Sequence, residues 1–155
     1  RWLKEGIEAK PYLIKPNIHE VEKLLGRELT SEEDVADAAF ELLKNGPEIV
    51  VISRGKDGVI AVTDSKLCKA VPPVMKVRSA VGSGDCAIAG LTLKLASGES
   101  LVEACWLAVA MGAAAVLTPG TELCRRVDVK KLLPQVKSWE IPVTGRKKVS
   151  FSAMA

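Results

Sequence analysis

A nearly continuous aliphatic run, EIVVIS at residues 48–53, constrains the fold of this chain more than any other segment. Because its apolar residues follow one another without polar alternation, the run is typical of a strand that is covered on both faces. Segments with helical periodicity precede and follow it. This arrangement predicts an α/β protein in which helices cover a central sheet.

Capping and turn residues predict where the first helices begin and end. A short strand precedes Asn17, which caps a helix over 18–25, and Gly26 ends that helix. Thr30 or Ser31 caps a second helix, which has an acidic residue in its first turn as a capping box requires. In open α/β sheets ligands bind beyond the carboxyl ends of the strands. We therefore expect Asn17, the end of the 48–53 strand and the later glycine turn to lie close together.

The rest of the chain is assigned from its periodicity and turn residues. Asp128 is predicted to cap the final helix, and the stretch from Trp139 onward is predicted to be a poorly packed tail. The remaining predicted elements are strands at 59–63, 67–71 and 75–77 and helices at 85–96, from Glu99 or Ser100 to 116, and at 129–136.

Composition narrows the class of protein. The 155 residues carry a net charge of +3, which suits an anionic small ligand and is too weak to indicate nucleic acid. The longest apolar stretch, at 104–117, is too short to cross a bilayer. Four dispersed cysteines without a C-x-x-C pair, and a single histidine, His19, lack the spacing of a structural zinc site. With no visible signal peptide, we expect reduced thiols in a cytoplasmic protein.

The sequence VGSGD at residues 81–85 carries the strongest chemical signal. Its glycines allow the backbone N–H groups of Gly82, Ser83 and Gly84 to converge at a helix N-terminus, where they can bind an anion. Asp85 beside such a site would repel phosphate unless it accepts a proton from an attacking hydroxyl. A turn followed by a capping acid explains the same residues equally well.

Two weaker patterns accompany this turn. Asn17 and Glu20 share one helix face and could hold Mg²⁺ through water, while Lys15 could meet a nucleotide phosphate. Considered alone, a helix cap explains them better. The glycines of the loop SRGKDG at 53–58 permit a ligand to approach the backbone closely. Considered alone, an ordinary hairpin loop is again the better explanation.

The occurrence of all these motifs in one order along the chain favours a functional explanation over a purely structural one. K-P-N-x-x-E at 15–20, S-x-G-x-x-G at 53–58, S-A-V-G-x-G-D at 79–85 and the later AAA and PGT triplets resemble the PfkB-type (ribokinase-like) carbohydrate kinases, in particular the phosphofructokinase and tagatose-6-phosphate kinase branch. The resemblance runs from about Tyr12 to Val136. It implies a three-layer αβα sandwich with a mainly parallel central sheet. Residues 1–143 would form its carboxy-terminal, nucleotide-binding half, and residues 144–155 a tail.

Roles follow from the resemblance by position. Asp85 matches the catalytic base, and the amides of Gly82, Ser83 and Gly84 match the anion hole. Other positions match the sites of metal and nucleotide. The metal residues are Asn17 and Glu20, acting through water, and the nucleotide residues are Lys15, Ser53, Arg54, Gly55, Lys56, Asp57, Gly58, Ser79, Val81 and Gly112. Two positions depart from the family pattern: Ser83 replaces alanine, and Cys86 stands where serine, threonine or alanine is usual.

The resemblance therefore implies ATP-dependent, Mg²⁺-assisted phosphorylation of a hydroxyl on a sugar phosphate. Fructose 1-phosphate, fructose 6-phosphate and tagatose 6-phosphate all remain compatible substrates. The partners would be ATP and the sugar phosphate, without nucleic acid or membrane, and a homodimer would form through an N-terminal lid that is absent from these 155 residues. The alternatives are a nucleotide-binding or regulatory module without catalysis and a truncated fragment that folds poorly.

Overall fold

The structure is a computed structural model that describes residues 2–143 and Phe151. The chain contains both helices and strands, as its α/β patterning predicts. In chain order they are α1 (Trp2–Glu8), β1 (Leu13–Ile14), α2 (Ile18–Leu25), α3 (Glu32–Leu43), β2 (Ile49–Ser53), β3 (Val59–Val62), β4 (Lys66–Val71), α4 (Ser83–Ala96), α5 (Leu101–Ala115), α6 (Arg126–Leu132) and β5 (Lys137–Pro142), with single 3₁₀ turns at Gly55–Asp57 and Leu133–Gln135.

The five strands form one sheet in the order β1-β2-β3-β4-β5. β1 pairs with β2 in parallel, with Leu13 opposite Ile49, whereas β2 pairs with β3 antiparallel, with Val50 opposite Val62. Only residues 54–58 join β2 to β3, and a connection that short cannot cross over to a parallel neighbour. The α/β fold class is confirmed. β2 is buried along the whole of its aliphatic run.

Reciprocal capping explains why α2, α3 and α5 begin where they do. In each helix the side chain of the N-cap residue accepts a hydrogen bond from a backbone N–H in the first turn, and an acidic side chain there accepts one in return. The N-caps are Asn17, Ser31 and Ser100, so the second helix uses Ser31 rather than Thr30. Gly26 ends α2 in the left-handed conformation, as predicted.

Three predictions about secondary structure are wrong. No strand forms at 75–77; prolines at 72 and 73 precede it, and Val74 is fully exposed. Asp128 does not cap α6, since the helix already begins at Arg126 and places Asp128 in its first turn.

The predicted tail is also ordered over part of its length, because Trp139 lies in β5. The backbone N–H of Val143, just after this strand, donates a 2.8 Å hydrogen bond to the carbonyl of Ser65. Of the predicted tail at 144–155, only Phe151 is among the described residues, and it is buried.

The chain divides into two compact units. The first comprises 1–55, 59–68 and 139–155, and the second comprises 56–58 and 69–138. The core of the first unit consists of aliphatic residues from the sheet and from α2 and α3, among them Val21, Val35, Leu42, Val50, Ile52 and Ile60. The second unit contains α4, α5 and α6. That residues 1–143 form half of a larger kinase domain stays a prediction.

Helix α5 lies in the interior of the second unit, as its nearly uniform apolar sequence predicts. Across from it, Gly90 of α4 lies so close to the backbone of Ala108 that a Cβ at Gly90 would come within 2.9 Å of the Cα of Ala108. Within the described residues, no helix combines the length and the apolar character that crossing a membrane requires.

Candidate active site

The end of β2 lies beside the start of α2. Ser53, the last residue of β2, donates a 3.0 Å backbone hydrogen bond to the carbonyl of Pro16, and Asn17 and Ser53 form an isolated parallel bridge. The expected proximity of Asn17 to the end of this strand is therefore seen. Lys15 is partly buried immediately after β1. That the glycine turn at 82–84 lies beside these residues stays a prediction.

Asn17 and Glu20 form a reciprocal pair at the start of α2. Oδ1 of Asn17 accepts the backbone N–H of Glu20 at 2.9 Å, and Oε2 of Glu20 accepts the backbone N–H of Asn17 at 2.8 Å. Both residues are exposed. The cap interpretation is thus correct for the local structure, and the second carboxylate oxygen of Glu20 makes no hydrogen bond within the described residues.

These oxygen donors fit a hydrated Mg²⁺ ion. Mg²⁺ keeps several of its waters and needs only one or two carboxylates when phosphate oxygens complete its shell. Among the described residues, no three His, Cys, Asp or Glu side chains cluster closely enough to hold a metal by themselves. A contact through water from Glu20 and Asn17 is the arrangement that the donor set allows.

The loop after β2 contains two kinds of residue. Arg54 is nearly buried, with 8% of its side chain exposed, and its guanidinium lies 3.1 Å from Oε1 of Glu32. Gly55, Lys56 and Asp57 form an exposed single turn. The role of Arg54 as a nucleotide contact stays a prediction, but its guanidinium is already engaged with a carboxylate.

The two glycines of this loop are required for different reasons. Gly55 has φ +59° with open space where a Cβ would stand, so only its backbone conformation favours glycine. Gly58 has φ +76°, and a Cβ there would overlap the carbonyl oxygen of Ala70 and lie 2.8 Å from the Cα of Val71. The conformation of the chain therefore accounts for Gly58 without any ligand.

The start of α4 differs from the starts of the three capped helices. Gly82 precedes it in the left-handed conformation with φ 79°, and no side chain caps the helix. The N–H and hydroxyl of Ser83 both lie near the carbonyl oxygen of Ala80, at 3.4 and 2.9 Å. Over the described part of the chain, the N–H groups of Gly82 and Gly84 have no protein acceptor. Two of the three predicted amides are therefore available, and the third makes a long contact.

Asp85 lies in the first turn of α4. Its side chain is exposed and makes no hydrogen bond or ion pair within the described residues. The N-terminal end of a helix carries a partial positive charge that favours anions nearby. An unengaged carboxylate beside unengaged amides can accept a proton while the amides bind an anion.

The segment before this turn is bound to the loop that follows α5. The hydroxyl of Ser79 donates to the carbonyl of Gly120 at 2.6 Å and accepts the N–H of Val81 at 3.3 Å. Sequence reasoning missed Thr118, a buried residue whose hydroxyl lies 2.7 Å from the carbonyls of both Ala115 and Glu122. A threonine between an apolar helix and Pro-Gly was the available signal.

Gly112 packs against the beginning of α4. A Cβ at this position would lie 3.2 Å from the carbonyl oxygen of Ser83 and 3.5 Å from the Cβ of Ala87. A larger residue would displace the first turn of α4, so the glycine has a structural reason. Its predicted place beside the adenine stays a prediction.

Cys86, one of the two departures from the family pattern, is a buried structural thiol. Its sulfur accepts the backbone N–H of Cys124 at 3.4 Å, and both cysteines are free. Burial and the neighbouring thiol of Cys86 raise the pKa of Cys124 to about 11. Cys86 therefore joins α4 to the segment around Cys124 through this hydrogen bond.

Comparison with known proteins bears on this arrangement. The family model described as pfkB family carbohydrate kinase matches residues 2–127, which is most of the chain. The chain belongs to the pfkB family. This pfkB chain includes every motif discussed above, from K-P-N-x-x-E to the glycine turn and the loop after α5, within the matched residues.

Curated relatives place it near the phosphofructokinases. It is 42% identical over 121 residues to the ATP-dependent 6-phosphofructokinase isozyme 2 of Escherichia coli, covering 77% of this chain and 39% of that enzyme. It is 39% identical over 138 residues to the 1-phosphofructokinase of Vibrio cholerae, covering 87% of this chain and 43% of that enzyme. The pfkB chain thus spans less than half the length of these relatives.

Solved structures agree with the fold. Phosphofructokinase-2 from E. coli in complex with substrates and products superposes with a TM-score of 0.80 at 38% identity, over 86% of this chain and 44% of that one. Arabidopsis thaliana ribokinase complexed with ribose and ATP superposes with a TM-score of 0.73 at 24% identity, over 84% of this chain and 43% of that one, which establishes the shared fold only. The expected ribokinase-like architecture is confirmed.

Proposed function

We propose that this chain is the nucleotide-binding and phosphoryl-transfer half of a sugar-phosphate kinase. ATP phosphorylates a hydroxyl of a sugar phosphate such as fructose 6-phosphate or fructose 1-phosphate. Asp85 is the catalytic base, and the backbone amides of Gly82, Ser83 and Gly84 form the anion hole. The ATP-dependent 6-phosphofructokinase of E. coli is a relative at 42% identity, which supports this substrate class.

One observation carries the proposal. α4 and α6 begin without a side-chain cap, whereas α2, α3 and α5 are capped reciprocally, and α4, unlike α6, follows a glycine in the left-handed conformation. Unsatisfied N–H groups at a helix start are costly unless water or a ligand binds them. The exposed carboxylate of Asp85 lies in the first turn of this same uncapped helix. Together they provide an anion site with a base beside it.

The chemical step is a direct phosphoryl transfer. The hydroxyl oxygen of the sugar forms a bond to the γ-phosphorus of ATP while its proton passes to the carboxylate of Asp85. The bond from the γ-phosphorus to the bridging oxygen breaks, and its electron pair leaves with ADP. A positioned base typically contributes about 10²- to 10⁴-fold to the rate. The N–H groups of Gly82 and Gly84 bind the charge that spreads over the transferred oxygens.

Further residues bind the nucleotide in this proposal. The backbone around Gly55 leaves open space for phosphate to approach, and Lys56 is an exposed cation in the same turn. Ser79 and Val81 hold the segment that leads into the glycine turn. Asn17 and Glu20 would hold Mg²⁺ through water, and the ion would neutralise part of the charge on the phosphates. Lys15 adds a positive charge beside those two residues.

The proposal extends to the assembly and location of the complete kinase. A homodimer would form through the N-terminal lid that the family resemblance implies. The E. coli relative has been solved as a tetrameric inhibited form, which supports association in the family. We propose a cytoplasmic location because ATP and sugar phosphates are available there.

The test replaces Asp85 by asparagine in the complete protein and measures ADP release with each candidate sugar phosphate. We expect kcat to fall by at least about 100-fold while the Kd for Mg·ATP changes less than about threefold. Asp37→Asn, which neutralises an exposed carboxylate on α3, is the matched control and keeps full activity. Undiminished kcat in Asp85→Asn would remove Asp85 as the base.

A second candidate function follows from the coverage of the relatives. Since the chain spans 38% to 45% of their lengths, it could bind ATP as a regulatory module without turning over a sugar. Incubating the complete protein with Mg·ATP and the sugar phosphates separates the two functions. Product formation supports the kinase, and ATP binding without product in the complete protein supports the module.

A further inference from the structure

The pairing of Arg54 with Glu32 connects the end of β2 to the start of α3. These residues are 22 positions apart in the sequence, and their charged groups lie 3.1 Å apart. Only 8% of the Arg54 side chain and 30% of the Glu32 side chain are exposed, so solvent screens this pair far less than a surface pair. Glu32 is the first residue of α3, where a negative charge is favoured by the helix dipole.

The backbone of Arg54 lies in the segment that the proposed nucleotide site uses. Ser53, immediately before it, donates its N–H to Pro16 at 3.0 Å, and Gly55, immediately after it, adopts φ +59°. Because the Arg54 side chain is held by Glu32, the backbone of Ser53 and Gly55 on either side of it has less freedom to move. The guanidinium is directed to a carboxylate on α3, and a second anion would have to displace that partner.

We propose that Arg54 is a positioning residue, which acts through its ion pair with Glu32 to hold the Ser53–Gly55 backbone in the conformation that receives the nucleotide. This inference rests on the proposed function only for the identity of the ligand. It departs from the role that the family resemblance implies for Arg54, because it assigns the guanidinium to Glu32 and not to a phosphate. The effect on the backbone exists whether or not ATP binds.

The chain provides a matched control in Arg27 and Glu41. Their charged groups lie 2.9 Å apart, but 44% and 50% of the two side chains are exposed. Exposed pairs contribute little to stability, so the control removes the same two charges without the desolvated geometry. The variants are Arg54→Met, Glu32→Gln and their combination, with Arg27→Met, Glu41→Gln and their combination as controls.

The first measurement is hydrogen exchange at the Ser53 amide by NMR, in the complete protein without nucleotide. We expect Arg54→Met and Glu32→Gln each to speed exchange at Ser53 by on the order of tenfold. The double variant exchanges no faster than the faster single variant, because each single variant already breaks the ion pair between Arg54 and Glu32. The control variants leave the exchange at Ser53 unchanged. Unchanged exchange in both single variants would overturn the proposal.

The second measurement is the Kd for Mg·ATP. Both single variants should weaken binding by a similar factor, on the order of tenfold, while kcat changes less than KM. If Arg54→Met weakens binding and Glu32→Gln does not, Arg54 contacts the nucleotide itself and the positioning role is wrong. If the unaltered protein binds no ATP, the proposed function fails, and exchange at Ser53 still decides this inference.

Folding of the variants is checked by far-ultraviolet circular dichroism. Glu32→Gln keeps the volume of the side chain and removes only its charge, so it remains interpretable if Arg54→Met unfolds. Arg54→Lys keeps a positive charge toward Glu32 and is expected to restore much of the protection at Ser53. Protection no better in Arg54→Lys than in Arg54→Met would indicate that packing, not the ion pair, holds this segment.

Discussion

The hydroxyl of Ser79 donates a 2.6 Å hydrogen bond to the backbone carbonyl of Gly120, which joins the segment before the glycine turn to the loop after α5. The N–H of Arg78 adds a 2.8 Å bond to the carbonyl of Val116. Gly120, whose carbonyl accepts this bond, adopts the left-handed backbone conformation with φ +61°. The geometry of the proposed anion site thus depends on contacts distant in sequence.

Replacing Ser79 by alanine should loosen this connection. The variant loses the bond to Gly120 and the acceptor for the N–H of Val81, so we expect a loss of about 1 kcal/mol in the free energy of unfolding. Binding of Mg·ATP should weaken severalfold. Urea unfolding and nucleotide titration measure the two effects.

Ser65→Ala is the control for this prediction. Ser65 is an exposed serine whose side chain makes no hydrogen bond within the described residues, so its loss should change stability by less than about 0.5 kcal/mol. Equal stability of the Ser79 and Ser65 variants would show that the Ser79 hydroxyl does not hold the loop.

Two glycines with the same φ test whether steric overlap adds to the stability cost of replacing a glycine in the left-handed conformation. Gly58 and Gly98 both have φ +76°, but a Cβ would overlap the carbonyl oxygen of Ala70 at Gly58 and would meet nothing within 4 Å at Gly98. Gly98→Ala should cost only the conformational penalty of about 1–2 kcal/mol. Gly58→Ala should cost more than about 3 kcal/mol, because the backbone of β4 must also move. Denaturant unfolding compares them, and similar costs would contradict the steric argument.

The buried thiol of Cys68 predicts a pH dependence. Burial, reinforced by the nearby negative charge of Glu140 and a hydrogen bond to it, raises the pKa of Cys68 from 9.0 to about 12. The Cys68 sulfur lies 3.6 Å from Oε2 of Glu140. The folded state holds the Cys68 proton more tightly than the unfolded state does. The thiol therefore contributes fully to the free energy of unfolding below pH 9, and this contribution is lost as the pH rises towards 12.

The measurement compares the free energy of unfolding of the unaltered protein and Cys68→Ala at pH 8, 9 and 10 under a reductant. Above pH 9 the advantage of the unaltered protein should shrink, with a slope approaching about 1.4 kcal/mol per pH unit. Glu140 raises the pKa of Lys66 above 10.5, so their ion pair persists over this range. A constant difference from pH 8 to 10 would contradict the pKa shift of Cys68.

Local signals predicted much of the fold. The starts of α2, α3 and α5 were predictable because an N-cap and the acidic residue three positions later bond each other's backbone, as Ser100 and Glu103 do. The buried strand β2 was predictable from its unbroken aliphatic run. β5 was not, because its order depends on residues such as Lys66, which lies 3.0 Å from Glu140 and 74 positions away in the sequence.

For the candidate site, the sequence by itself determined that a glycine turn opens a helix with an acid in its first turn, and that an amide and a carboxylate begin another. It could not determine which groups are already engaged. Only the tertiary structure decided that the amides of Gly82 and Gly84 lack protein acceptors and that Arg54 is held by Glu32. A helix cap forms between residues three positions apart and can be predicted from the local sequence. Whether a donor already has a hydrogen-bond partner depends on segments that are distant in sequence and that only folding brings close.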